Sequence, residues 1–93
     1  MSLNTEKREV ERKRGADASY ILEHPLYVES VSSIRERLMK NWQESPVRDT
    51  EGREKIWMML TMLNEIEANF RSMVQTGKLA SSQLASAKQK GDE

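Results

Sequence analysis

Cysteine is missing from the chain altogether, which removes disulfides, thiolate metal sites and cysteine nucleophiles and fits a reducing compartment. Histidine occurs once, as His24, so a nucleophile relay has a single candidate base and a typical transition-metal site lacks its ligands. No apolar run nears the roughly 20 residues that span a bilayer, and the N-terminus has no signal-peptide apolar region. Net charge is absent too: 15 Lys and Arg balance 15 Asp and Glu within 93 residues. Such a chain has no global basic field of the kind that coats nucleic acid through its phosphates, although a local patch remains available. One small, soluble, cytoplasmic domain is the expectation. There is no Gly-rich phosphate loop, no His-Glu zinc helix and no calcium loop, so no cofactor or metal is expected.

What is present is helical periodicity. Thr5 to Arg14 is nearly all charged around a lone Val10, with opposite charges three or four apart at Lys7/Glu11, Arg8/Glu11 and Glu9/Lys13. With no apolar face to bury, residues 1–15 read as a solvated or frayed helix, or as an arm that orders on a partner. Gly15 weakens helix there by about 1 kcal/mol relative to alanine. A short helix follows from Ala16 to Glu23, and His24-Pro25 interrupts it, because proline disfavours a helical residue before itself.

Pro25 suits the first position of the next helix, expected from about Pro25 to Gln43. Its apolar stripe is Tyr27, Val31, Ile34, Leu38 and Trp42, broadened by Val28 and Met39. Glu44 to Thr50 contains Ser45-Pro46 and the N-cap candidates Asp49 and Thr50, which marks a short turn and hence antiparallel neighbours. A third helix is expected from about Thr50 to Thr76 on the stripe Ile56, Met59, Leu60, Leu63, Ile66, Phe70, Met73 and Val74. Gly77 reads as its stop, and residues 78–93 as a polar, largely flexible tail with a Leu-Ala-Ser echo at 79 and 84. The fold class is therefore all-α: an antiparallel helical hairpin over residues 16–77, preceded by a short N-terminal helix and completed as a bundle by oligomerisation.

The catalytic candidates are few. His24 at a helix start is more often a cap than a base, and Glu51 and Glu54 share one face of the third helix as ordinary surface carboxylates do. The expectation is a protein that is not an enzyme. Lys7, Arg8, Arg12, Lys13 and Arg14 are candidates for nucleic-acid contact, but Glu6, Glu9 and Glu11 dilute them and no aromatic residue lies among them to stack a base. Methionine and tryptophan give a sharper signal. Met59 and Met73 are in register with the stripe and expected in the core, whereas Met58 lies off it and Trp57 and Met62 lie on its margin. Ile56 to Leu60 is apolar all round its turn, which calls for cover on two sides. Trp57, Met58, Met62 and Trp42 are thus the expected surface for self-association or for a partner, most simply in a two-fold dimer of hairpins.

The segments Ile21-Leu22-Glu23-His24-Pro25-Leu26-Tyr27, Trp42-Gln43-Glu44-Ser45-Pro46, Asp49-Thr50-Glu51-Gly52-Arg53-Glu54-Lys55 and Thr76-Gly77-Lys78-Leu79-Ala80 resemble small helical proteins encoded by tailed phages and prophages. The resemblance covers about residues 16–84 and rests on junctions and caps rather than catalytic motifs. It implies a virion, head-assembly or packaging accessory, found in the host-cell cytoplasm or the virion, and it transfers no active-site residues. The expected function is a non-enzymatic structural or assembly protein that binds itself and another phage or host protein. The alternatives are a nucleic-acid-binding packaging or regulatory accessory using the basic arm, and a small host-directed inhibitor. No membrane partner is expected.

Overall fold

Ion pairs one helical turn apart, a proline at a helix start and two polar caps set out three helices in the computed structural model, which describes residues 3–91: α1 (Leu3–Glu23), α2 (Pro25–Glu44) and α3 (Thr50–Gly91). Every described residue outside these helices lies at position 24 or in 45–49, and the all-α expectation holds.

The charged N-terminal segment and the short helix expected after it are one element. α1 runs through Gly15 without a break. The pairs that brace it differ from those expected: Arg12 Nη2 lies 2.9 Å from Glu9 Oε2, and Lys13 Nζ lies 3.2 Å from Asp17 Oδ2. Both are solvent-facing and each contributes a few tenths of a kcal/mol. The missing Cβ at Gly15 is used for close approach. A Cβ built on Gly15 would lie 2.8 Å from the Gly77 Cα and 2.9 Å from the Met73 carbonyl oxygen.

One residue separates α1 from α2. His24 is extended and serves as the N-cap, its Nδ1 accepting from the Leu26 N–H at 3.1 Å, with Pro25 at the first helical position. The end of α2 is held by Ser45, whose N–H donates to the Trp42 carbonyl at 3.2 Å and whose hydroxyl donates to the same oxygen at 2.6 Å. Asp49 caps α3, since its Oδ1 accepts from the Gly52 N–H at 3.0 Å.

The largest departure from expectation is at Gly77. α3 does not stop there but continues to Gly91, 42 residues in all. Residues 78–91, expected as a polar tail, are helical. Gly77 is buried against α1 rather than placed in a left-handed cap, and no described glycine has a positive φ. The Ala, Leu, Lys and Gln that follow are good helix formers, so nothing local ends the helix.

The described residues fall into two compact units: residues up to Leu22 together with those from Asn69, and Glu23–Ala68. In the first unit the buried positions are Gly15, Ala18, Gly77 and Ala80, all of them small. In the second they are Leu38 and Leu63. These two leucines are the largest apolar side chains to reach burial among the described residues, which leaves much of the apolar stripe open to solvent.

Candidate functional site

Polar contacts centred on Arg35 and Arg53 join α2 and its end to α3 in the second unit. Arg35 donates to the Asn64 side-chain oxygen at 2.7 Å and forms an ion pair with Glu67, whose side chain is only 18% exposed. Near the turn, the Arg53 guanidinium lies 3.7 Å from the centre of the Trp42 ring. Its Nη1 also donates to the Ser45 hydroxyl at 2.9 Å and to the Trp42 carbonyl at 3.2 Å. One cation thus covers an indole and adds a further donor to the Trp42 carbonyl, which already accepts from Ser45 at the end of α2.

Two recesses flank this frame. One is lined by Trp42, Val47, Thr50, Arg53, Glu54 and Trp57. The other, about 360 Å³, is walled by Ile34, Arg37 and Leu38 from α2 and by Met58, Met59, Met62, Leu63 and Ile66 from α3. Trp57 and Met58 are adjacent in sequence and therefore about 100° apart around a 3.6-residue helix, which places them on different flanks. Of the four residues expected to form one surface, the structure brings Trp42 and Trp57 together in the first recess and Met58 and Met62 together in the second.

Met59 corrects an expectation. Its register is that of a core residue, but it is 51% exposed, and Ile66 is 48% exposed. Leu63, Glu67 and Asn64 hold the side of α3 nearest α2, so residues on the turn's margin are left over. Trp57, Met58 and Met62 are exposed by 55 to 60%. Met73 is half-buried, in keeping with its register.

The candidate bases are dispersed along α1. Arg12 and Lys13 are engaged by Glu9 and Asp17, Arg8 is half-buried, and Lys7 is exposed. Arg14 lines a small recess with Glu11, Ser72, Met73 and Thr76. Among the catalytic candidates, His24 caps α2, Glu51 is exposed in the first turn of α3, and Glu54 borders the tryptophan recess. No group of three or more His, Asp or Glu side chains able to hold a metal occurs among the described residues, and no described helix is long and apolar enough to cross a membrane.

Sequence reasoning missed Arg37 at the methionine recess and Val47, which is 85% exposed beside the tryptophans. Arg37 precedes Leu38, and that adjacency was the available signal, because the neighbour of a buried helical residue borders whatever cleft the buried residue floors. Comparison with protein-family models, with curated proteins and with solved structures finds no match to this chain.

Proposed function

We propose that this chain is a non-enzymatic structural or assembly protein that works as a homo-oligomer through contacts made by its second unit. One observation carries the reading: Met58, Met59, Met62 and Ile66 crowd one recess on a single helix while each keeps about half its surface in water. Full burial of such a side chain is worth about 1.5–3 kcal/mol, so covering the half that remains offers several kcal/mol in sum. Few monomers leave a contiguous apolar patch of this kind open. Zero net charge also leaves no global repulsion between copies.

In this reading α2 and the first half of α3 act as an antiparallel hairpin, and two such hairpins complete a four-helix bundle. The opposed contact order, Arg35 with Glu67 and Trp42 with Arg53, supports the hairpin arrangement. The resemblance to small tailed-phage proteins sets the assembly in a virion or prophage context, with a further phage or host protein as the second partner.

Light scattering or sedimentation equilibrium over a concentration series tests the core claim. The expected result is a mass above 10.8 kDa that falls on dilution. A strict monomer at the highest concentration overturns it.

A further inference from the structure

Where α1 and α3 come closest, at Gly15 and Gly77, the contact has two flanks that differ in charge. On one, Arg14 shares a small recess with the acid Glu11. The recess on the other, about 250 Å³, is lined by Arg12 and Ser19 from α1 and by Lys78 and Ser81 from α3, with the two buried glycines between them. Glycine and serine stand four apart on each helix, so each contributes one hydroxyl and one cation to this recess. No acid lines it, and α3 carries no acidic residue after Glu67. The acids nearest in sequence are engaged elsewhere or weakly held. Asp17 pairs with Lys13, and Glu9 takes Arg12 through Nε and Nη2 in a half-exposed pair that leaves Nη1 over. Ser19, Lys78 and Ser81 have no hydrogen-bond or ion-pair partner among the described residues.

From this set we infer that the recess binds a phosphate group, with Arg12 and Lys78 supplying charge from opposite helices and the Ser19 and Ser81 hydroxyls donating to its oxygens. Two like charges facing one recess repel each other, and an anion held between them reverses the sign of that interaction. Phosphate offers close to two negative charges and three strong acceptor oxygens, which matches two cations and two hydroxyl donors better than a chloride ion or a carboxylate does. Of the five bases considered for nucleic-acid contact, Arg12 alone belongs to this recess. The inference is independent of self-association and of the second unit.

Amide NMR of the full chain, titrated at constant low ionic strength, tests this with three probes: inorganic phosphate, thymidine monophosphate and a short oligothymidylate. Chloride is the control anion. Saturable shifts centred on Ser19, Lys78 and Ser81 are expected with phosphate and not with chloride. Lys78→Gln should weaken binding about fivefold or more, and so should the pair Ser19→Ala and Ser81→Ala. Arg14→Gln, on the flank that holds Glu11, should leave the affinity unchanged. Lys78→Arg keeps the charge and should retain binding, which separates a lost charge from a lost fold, and circular dichroism of each variant checks helix content. The probes also separate the sources of the phosphate. Oligothymidylate that binds at the same residues about tenfold or more tighter than the monophosphate, and steeply less well as salt rises, identifies a nucleic-acid backbone. Equal affinity for oligomer and monophosphate identifies a small phosphate compound. Either result supports the site.

Shifts no larger with phosphate than with chloride overturn the inference. So do shifts centred on Arg14 rather than on the recess, or an affinity that Lys78→Gln and the double serine variant leave as it was. None of these outcomes bears on whether the chain associates with itself, so the two proposals stand or fall separately.

Discussion

Gly15 and Gly77 meet backbone to backbone, and the contact is nearly symmetric: a Cβ on either would lie 2.8 Å from the Cα of the other. The symmetry extends one turn back, where the Gly15 Cβ would meet the Met73 carbonyl at 2.9 Å and the Gly77 Cβ the Glu11 carbonyl at 3.0 Å. Around the contact the sequence repeats itself, Gly15-Ala16-Asp17-Ala18-Ser19 on α1 and Gly77-Lys78-Leu79-Ala80-Ser81 on α3. Small residues at the crossing let the two helix backbones approach closely.

Alanine at either glycine should therefore destabilise the protein. In a free helix the change gains about 1 kcal/mol of propensity, but here the added methyl meets backbone that has no rotamer with which to move aside. A net loss of about 1–2 kcal/mol is expected for Gly15→Ala and for Gly77→Ala in urea unfolding. The double variant should lose clearly less than the sum, since one separation of the helices relieves both clashes.

Arg53 should resist replacement by lysine. A lysine keeps the charge but loses the planar face over Trp42 and the fork that reaches Ser45 and the Trp42 carbonyl together. Arg53→Lys and Arg53→Ala are both expected to cost about 1–2 kcal/mol by chemical denaturation, with lysine recovering less than half of the alanine loss. A near-complete rescue by lysine would reduce the contact to simple charge.

The ion pairs Arg35–Glu67, Arg12–Glu9 and Lys13–Asp17 should rank by burial. Arg35 and Glu67 are 36% and 18% exposed in their side chains, against 50% and 52% for Arg12 and Glu9 and 76% and 64% for Lys13 and Asp17. Glu67→Ala leaves Arg35 partly desolvated and should cost about 1–2 kcal/mol, whereas Glu9→Ala should cost no more than about 0.5 kcal/mol. Raising salt from low to moderate concentration should erase the Glu9 effect before the Glu67 effect.

At the start of α3, Asp49→Ala removes the cap and should cost about 1 kcal/mol in thermal or chemical unfolding. Gly52→Ala is different. The atoms nearest to its Cβ would all belong to the Asp49 carboxyl, the closest at 2.3 Å, and that side chain can rotate away. The lost cap and the gained helix propensity are of similar size and opposite sign, so Gly52→Ala should be nearly neutral.

The helices themselves are legible in the residues. Pro25, Ser45-Pro46 and Asp49 mark the ends of α2 and the start of α3 because each signal is local. Gly15 and Gly77 mislead because glycine signals two different things: a left-handed cap, decided by neighbours in sequence, and a close crossing, decided by a helix some sixty positions away. The repeat of Gly-x-x-Ala-Ser was the clue to the second meaning. The candidate surface divides in the same manner. Its residues are legible as surplus apolar side chains, but the division into a tryptophan flank and a methionine flank depends on where α2 lies. Met59 has the register of a core residue and lacks the neighbour that would make it one.

The small-residue crossing gives the first unit a core made of main chain more than of side chains. There is little volume to delete at Gly15, Ala18, Gly77 and Ala80, and at the two glycines no room to add any. The second unit, floored by Leu38 and Leu63, has the reverse sensitivity, since truncating a buried leucine opens a cavity. A scan of substitutions would thus read the two units with opposite signs: the first injured by atoms gained, the second by atoms lost.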